Sequence, residues 1–261
     1  MISYQIVGQG VPIVFIHGLA LDRTSMRDFF EPLLKGSGWK RYYVDLPGMG
    51  NSPGTPQADV QTVLAALVTF IKAQLDNEKF VVCGRSFGGY LASFLTKTFG
   101  SQIRGIFLTC PVVKAHKEER VLAQHVTKPF GTVNYISHKE FKTDFLAMNV
   151  KIGPHQWDLY QQLIIPGLQR RDAGFIETLQ RNYQLEFESD LPRFISPQTQ
   201  LMILAGRHDQ IVGFQQQLEL GERVKNSTVV LLQNAGHNLF IDEEMKTAGY
   251  FKGFLQQLVV K

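Results

Sequence analysis

The sequence predicts an α/β fold in which a mostly parallel sheet carries helices on both of its faces. Short, continuous apolar runs recur along the chain, and such runs are typical of strands that are buried on both faces. Segments with apolar residues at helical spacing separate these runs, and this alternation is typical of a parallel sheet covered by helices. The stretch 111–195 interrupts the alternation, which indicates an insertion into the sheet.

Each predicted strand is a short apolar run, and each predicted helix is a longer segment with apolar residues three or four positions apart. A tight turn at Gly8-Gln9-Gly10 ends the first strand. The predicted strands are Tyr4 to Val7, Ile13 to Ile16, Arg41 to Val44, Phe80 to Cys83, Ile103 to Thr109, Leu201 to Ala205 and Thr228 to Leu232. The predicted helices between and after them are Val60 to Leu75, Phe87 to Phe99 and Glu243 to Val260.

The insertion contains no buried-strand run and is punctuated by proline and glycine. Its helix-like pieces are Lys114 to Val126, His138 to Met148, Pro154 to Ile164 and Asp172 to Asn182. We therefore predict a core of residues 1–110 and 196–261 and a helical cap of residues 111–195. The aromatic residues of the cap indicate an apolar pocket, although most of them are expected to pack the cap onto the core; they are Phe130, Phe141, Phe145, Trp157, Tyr160 and Phe175.

Composition and charge indicate a globular protein whose partner is not a nucleic acid. The chain has 261 residues, of which 44% are hydrophobic and 19% are charged, and its net charge is only +4. Its 27 basic and 23 acidic residues are interspersed, whereas nucleic-acid binding needs clustered positive charge. We therefore expect a small molecule as the partner.

The sequence favours a cytoplasmic protein that has no membrane partner. The first ten residues lack the basic region and apolar stretch of a signal peptide. The longest apolar stretch, Val63 to Ile71, is too short to span a bilayer. Two cysteines, Cys83 and Cys110, make no disulfide framework, so we expect buried, unreactive thiols in a reducing compartment. A homodimer is left open.

Gly84-Arg85-Ser86-Phe87-Gly88-Gly89 is the most specific chemical motif in the sequence. It follows an apolar strand and begins a helix, which is the context of a G-x-S-x-G nucleophile elbow. The serine is expected on a strained turn, while Gly84 and Gly88 occupy positions where a Cβ would collide with neighbouring segments. The amides at the start of the helix suit a developing negative charge. Ser86 is therefore the predicted nucleophile.

Nucleotide binding is the alternative use of a glycine-rich loop, and the spacing does not fit it. A P-loop requires lysine after its last glycine, where this sequence has Tyr90. A G-x-G-x-x-G fingerprint is absent, and the loop Gly48 to Gly54 has the wrong glycine spacing. We therefore predict no cofactor. No metal is expected either, because the histidines of the insertion show no metal-binding spacing; they are His116, His125, His138 and His155.

A serine hydroxyl needs a base to remove its proton and a carboxylate to orient that base. Asp209 follows the predicted strand Leu201 to Ala205, and His237 follows the last predicted strand. Both lie just past strand ends, where open α/β sheets bind their ligands. We predict His237 as the base and Asp209 as the orienting acid.

Other acids and histidines fit these roles less well. His208 has no acid after it in a suitable place, and Asp242, Glu243 and Glu244 are expected in the first turn of the last helix. Asp45 also follows a strand, but an aspartate there is expected to stabilise a turn by bonding to nearby backbone.

The oxyanion of the transition state needs backbone donors. One predicted donor is the N–H of Phe87, the residue after the nucleophile. The second is the N–H of Leu19, in the loop after the strand Ile13 to Ile16. Loss of one such donor costs about 3 kcal/mol of transition-state stabilisation. His17, in the same loop, is expected to bond locally and shape it.

Taken together, these motifs resemble the α/β-hydrolase superfamily, in its serine-nucleophile branch with a helical cap. The residues that carry the resemblance are His17-Gly18, Asp45 to Ser52, Gly84 to Gly89, Gly206 to Asp209 and Gly236-His237. It covers nearly the whole chain, although the cap matches only in placement. It implies an α/β-hydrolase fold and a two-step reaction, in which Ser86 forms an acyl enzyme that water then releases.

The resemblance leaves the substrate open, because this fold carries many activities. Hydrolysis of a small carboxylic ester is our first expectation. A C–C bond hydrolase and an aminopeptidase are alternatives, and the latter needs acids near the serine, for which the insertion offers Glu177, Glu186 and Glu188. A non-catalytic, hydrolase-like receptor with an intact triad is the alternative outside enzymes.

Overall fold

A seven-stranded sheet forms the centre of the computed structural model, which describes residues 1–259. The strands are β1 (Tyr4–Val7), β2 (Val11–Ile16), β3 (Trp39–Val44), β4 (Phe80–Arg85), β5 (Ile103–Thr109), β6 (Lys128–Pro129), β7 (Lys151–Ile152), β8 (Gln200–Gly206) and β9 (Ser227–Leu232). Seven of them form the main sheet, in the order β1-β3-β2-β4-β5-β8-β9, and β6 and β7 pair with each other in a separate two-stranded sheet. Only β1 pairs antiparallel, with β3, so the prediction of a mostly parallel sheet is confirmed.

Helices cover both faces of this sheet, as the alternating pattern predicted. They are α1 (Arg23–Leu34), α2 (Val60–Leu75), α3 (Phe87–Phe99), α4 (Lys142–Met148), α5 (Pro154–Leu163), α6 (Ile165–Arg170), α7 (Ala173–Arg181), α8 (Leu191–Phe194), α9 (Gln215–Glu222), α10 (Leu239–Asp242) and α11 (Glu244–Val259). On one face, α1 and α11 contact each other and the strands. On the other, α2 contacts α3, α3 contacts the strands, and Phe70 of α2 lies edge-on to Tyr42 of β3. None of the helices within residues 1–259 is long and apolar enough to cross a bilayer.

Aromatic side chains fill the space between the sheet and the helices α1 and α11. Phe15 of β2 stacks on Tyr43 of β3 with ring centroids 4.7 Å apart. On the helix side, Phe30 of α1 lies 4.5 Å from Phe251 of α11, and Phe251 lies 5.1 Å from Phe107 of β5. These offset and edge-on pairs stabilise the core beyond simple burial, by about 1 kcal/mol each. They hold the strands that carry the site in fixed register.

Several predicted elements need correction. Lys114 to Val126 is not a helix and contains only a single 3₁₀ turn, Lys117–Glu119. The guanidinium of Arg120 donates to the carbonyl oxygens of Lys114, Ala115 and Ile211, so that side-chain bonds occupy backbone acceptors that an α-helix would use. The predicted last helix, Glu243 to Val260, corresponds to α11, which begins at Glu244; α10 precedes it and was not predicted, and the predicted end at Val260 lies outside the described residues.

The stretch between β5 and β8 packs across one end of the sheet. Its helices α5 and α6 contact α1, and α8 contacts α3. Gly167 of α6 lies so close to the backbone of Leu21 and Asp22 that a Cβ there would come within 2.6 Å of Leu21 Cα. The side chain of Arg170 donates to Asp22, with Nε and Oδ2 2.7 Å apart. These contacts hold the inserted helices beside the carboxyl ends of the strands.

Candidate active site

Three side chains that are far apart in the sequence meet at the carboxyl edge of the sheet. Ser86 follows β4, Asp209 follows β8 and His237 follows β9, and these strands are parallel, so their ends share one edge. The Oγ of Ser86 lies 2.9 Å from Nε2 of His237. Nδ1 of His237 lies 2.8 Å from Oδ2 of Asp209. The order serine, imidazole, carboxylate is the geometry of an activated nucleophile.

The turn that carries Ser86 is strained, as the motif predicted. Ser86 has φ = 52° and ψ = −115°, in a region that L-residues avoid. A Cβ on Gly88 would lie 2.2 Å from the carbonyl oxygen of Ile16, and one on Gly84 would lie 2.6 Å from that of Gly88. Only glycine therefore lets the strand, the turn and α3 approach one another this closely.

Asp209 is fully buried and is held in its charged form. Burial alone would raise its pKa, but the charge and hydrogen bond of His237 and the backbone N–H groups of Val212 and Ile211 together lower the pKa below its ordinary value. The two N–H groups lie 3.0 Å and 2.8 Å from Oδ1, which leaves Oδ2 directed at the imidazole. This arrangement favours the tautomer with a proton on Nδ1 and a free Nε2.

The two predicted oxyanion donors lie beside the serine. Phe87 is the first residue of α3, so its N–H has no acceptor within the helix. Leu19 lines the cleft that contains Ser86. The preceding residue, Gly18, is so near that a Cβ built on it would lie 3.4 Å from the Cβ of Ser86. Their role as oxyanion donors stays a prediction.

A cleft of about 960 Å³ opens from Ser86 toward the inserted segment. Its apolar lining near the serine includes Leu19, Leu21, Val112, Met148, Ile164, Leu168, Ile211 and Val212. Polar and charged residues line it as well, among them Arg85, Asp144, Tyr183 and Asn238. The cleft therefore offers both apolar surface and polar groups to a bound small molecule.

A family model described as the alpha/beta hydrolase fold matches residues 11–244. The chain belongs to the α/β-hydrolase fold family. A solved alpha/beta superfamily hydrolase from Oenococcus oeni is 42% identical, with a TM-score of 0.95, and the match covers 98% of this chain and 96% of that one.

More distant relatives of this α/β-hydrolase bear esterase names. A pimeloyl-[acyl-carrier protein] methyl ester esterase from Aeromonas hydrophila is 28% identical over 243 residues, covering 92% of this chain and 93% of the relative. An esterase from Exiguobacterium antarcticum has the same fold, with a TM-score of 0.76 at 19% identity, and the match covers 98% of this chain and 95% of that one.

Two residues that resembled catalytic groups have structural contacts in the hydrolase. His17 is fully buried, and burial lowers its pKa. Its Nδ1 donates to the carbonyl oxygen of Gly18, and its Nε2 accepts from the N–H of Leu46, so it shapes the loop as expected. Asp45 accepts from the N–H groups of Arg23 and Asn51 and therefore stabilises the turn.

The cap aromatics also pack in the way that the sequence favoured. Phe145, Trp157 and Tyr160 contact one another with ring centroids 5.1 to 5.6 Å apart. None of the six predicted aromatic residues lines the cleft, whereas Tyr183 does. Glu177 lines its outer part and pairs with Arg181.

Cys110 was expected to be inert, and it lies against the triad. Its Sγ, a carboxylate oxygen of Asp209 and a ring nitrogen of His237 lie within 4.8 Å of one another. Burial, followed by the charge and hydrogen bond of Asp209, raises the pKa of the thiol well above its ordinary value. The protonated Sγ lies 3.6 Å from the carbonyl oxygen of Gly236, so the thiol packs between the two loops that carry the acid and the base.

Asp242 and Glu243 were expected in the first turn of the last helix, and for both residues this prediction was wrong. Asp242 ends α10, Glu243 follows it, and only Glu244 begins α11. The carboxylate of Asp242 is buried and accepts from the N–H groups of Val150 and Lys151, at 2.9 Å, and of Gly236, at 2.8 Å. It therefore joins the inserted segment to the residue before His237.

Burial raises the pKa of Asp242 from 3.8 to about 6, against the opposing effect of its backbone donors and Lys151. Between these two values the folded protein binds a proton that the unfolded chain lacks. This contribution to stability is complete below about pH 4 and is lost as the pH rises to about 6. From pH 4 to pH 7 the wild type should therefore lose about 3 kcal/mol of unfolding free energy that Asp242→Asn does not lose.

Urea unfolding at both pH values measures this difference. Asp158→Asn, at an exposed position on α5, removes the same formal charge and should follow the wild type. An Asp242→Asn variant whose unfolding free energy changes with pH as much as that of the wild type would contradict the prediction.

Proposed function

We propose that this chain is a serine hydrolase of small carboxylic esters that works through an acyl enzyme. The observation that carries the proposal is the pair of short contacts at His237, 2.9 Å to Ser86 and 2.8 Å to Asp209. No further group is needed to activate the serine, since a base and an orienting acid are already in place.

The geometry supports a two-step reaction. Ser86 Oγ attacks the ester carbonyl while Nε2 of His237 accepts its proton, and Asp209 stabilises the imidazolium that forms. The N–H groups of Leu19 and Phe87 receive the oxyanion. His237 then protonates the departing alcohol, and a water molecule, deprotonated by the same nitrogen, releases the acid and restores Ser86.

The ester class agrees with the names of several relatives that match most of the length of this chain and are called esterases. The apolar wall of the cleft suits a short acyl chain. A cytoplasmic location is part of the proposal and is supported by the two cysteines, which are buried and free.

A fluorophosphonate ester tests the nucleophile and the reaction class together. We expect one covalent adduct, located on Ser86 by peptide mass spectrometry, and a parallel loss of p-nitrophenyl butyrate hydrolysis. Ser93→Ala is the matched control, because Ser93 lies on α3, is 1% exposed and bonds only to its own helix. This variant should still be labelled at Ser86.

Two results would contradict the proposal. Labelling at another residue would remove Ser86 from the reaction. Saturable ligand binding without turnover of any ester would instead support the hydrolase-like receptor.

A further inference from the structure

Arg85 is a buried arginine without a carboxylate partner. It occupies the second position of the elbow, directly before Ser86, and is 3% exposed. None of the ion pairs formed within residues 1–259 includes it. A buried cation is costly unless it is paired and hydrogen-bonded. A charge kept in such a place therefore requires an explanation.

The contacts of Arg85 satisfy only part of its guanidinium. Nη2 donates to Oδ1 of Asn238, and the group lies over the ring of Phe240, 5.4 Å from its centroid. Nη1 is buried and has no hydrogen-bond partner among residues 1–259. Burial lowers the pKa of the side chain to about 10, so it remains charged at neutral pH.

The residue that carries this guanidinium is one of those that line the cleft containing Ser86. Arg85 and its partner Asn238 both line the cleft, as does Asp144. The carboxylate of Asp144, which also lines the cleft, accepts a hydrogen bond from the hydroxyl of Tyr160 and is not among the ion-pair partners of Arg85 within residues 1–259. A buried positive charge without a carboxylate partner therefore lies directly before the nucleophile, whereas the other cationic residues of the cleft, Lys117, Arg120 and Arg181, belong to the insertion.

We propose that Arg85 determines substrate specificity by binding a carboxylate on the substrate, so that the preferred substrates are half esters of short dicarboxylic acids. The proposal rests on the esterase function proposed above and names its substrate class. A carboxylate accepts two parallel bonds from a guanidinium, and such a bond is stronger where water is excluded. It would supply the counterion that the protein does not.

A purely positioning role is the competing explanation. Arg85 holds Asn238, which follows His237, so loss of the side chain would then disturb the base. That effect lowers kcat for every ester alike. Recognition of a carboxylate, by contrast, changes KM and only for substrates that carry one.

Two phenyl esters of equal chain length separate these roles. Monophenyl glutarate carries a carboxylate where phenyl pentanoate carries a methyl group, and phenol release measures both. We expect the wild type to prefer the glutarate in kcat/KM by at least about tenfold. Arg85→Gln should abolish this preference, because it should lower kcat/KM for the glutarate, mainly through KM, far more than for the pentanoate. Arg85→Lys should retain part of the preference.

Arg181→Gln is the matched control for charge. Arg181 also lines the cleft, but its side chain is 64% exposed and pairs with Glu177. Its loss should leave the ratio of the two rates unchanged, because an exposed charge is screened. An equal loss of preference in Arg181→Gln would overturn the proposal, as would an equal loss of both activities in Arg85→Gln.

The wild type alone also tests the proposal, should the variants fold poorly. Pentanoate hydrolysis equal to or faster than glutarate hydrolysis would overturn the role of Arg85 and leave the esterase intact. Hydrolysis of neither ester, with Ser86 unlabelled by the phosphonate, would overturn the proposed function itself.

Discussion

Ser86→Ala is expected to lower kcat for p-nitrophenyl butyrate by about 10⁶-fold. The variant keeps the cleft and the oxyanion donors but lacks the oxygen that attacks the carbonyl. His237, 2.9 Å away in the wild type, then has no nucleophile to activate. Residual hydrolysis should remain above the uncatalysed rate, because substrate binding and the backbone N–H groups still act on the transition state.

Steady-state kinetics of single and double variants measure whether the triad works as a unit. Ser86→Ala combined with His237→Ala should be no slower than Ser86→Ala alone, since residues that act as one unit are not additive. A Ser86→Ala variant within about tenfold of the wild type would show that another group is the nucleophile. Ser93→Ala supplies the control for a buried serine on the same helix.

Asp209→Asn is expected to lower kcat by about 10⁴-fold with little change in fold. The amide oxygen retains the N–H bonds of Ile211 and Val212, so the NH₂ group faces Nδ1 of His237. The imidazole then carries its proton on Nε2 and is unable to accept the proton of Ser86. Loss of the buried charge also leaves the imidazolium of the transition state without its counterion.

Asp76→Asn is the control for this change. Asp76 is exposed at the end of α2 and precedes β4, so the change removes one formal charge at the opposite end of that strand from Ser86. Circular dichroism should report the same fold for both variants, and only Asp209→Asn should lose activity. Full activity in Asp209→Asn would place the orienting acid elsewhere.

The elements that local chemistry determines were predictable from the sequence. The elbow was recognisable because one strained turn requires glycine at fixed positions, and these positions are close together in the segment Gly84 to Gly89. The helices α1 and α9 were not predicted. α1 has apolar residues at helical spacing, Met26, Phe29, Phe30 and Leu34, but Pro32 interrupts the pattern. The buried face of α9 includes Gln216 and Gln217, so this helix shows no clear apolar stripe.

The parts of the site that depend on tertiary contacts were not predictable. Arg85 was recognisable in the sequence as part of the motif. That it has no carboxylate partner within residues 1–259 is evident only from the positions of the surrounding carboxylates in the structure. Asp242 had the charge of a first-turn residue, and two of its three backbone partners, Val150 and Lys151, come from a segment far away in the chain. Cys110 likewise meets Asp209 only because β5 and β8 are neighbours.

The chain enters the insertion at the end of β5, where it is hydrogen-bonded to the nucleophile elbow. Before it leaves the sheet, the N–H of Val112 donates to the carbonyl oxygen of Ser86 across 3.1 Å, and the N–H of Ser86 donates to that of Thr109. Any swing of the covering helices must therefore pivot downstream of Val112. A chimaera in which the segment after Val112 is replaced by the cap of another protein should therefore keep Ser86 in the same alignment.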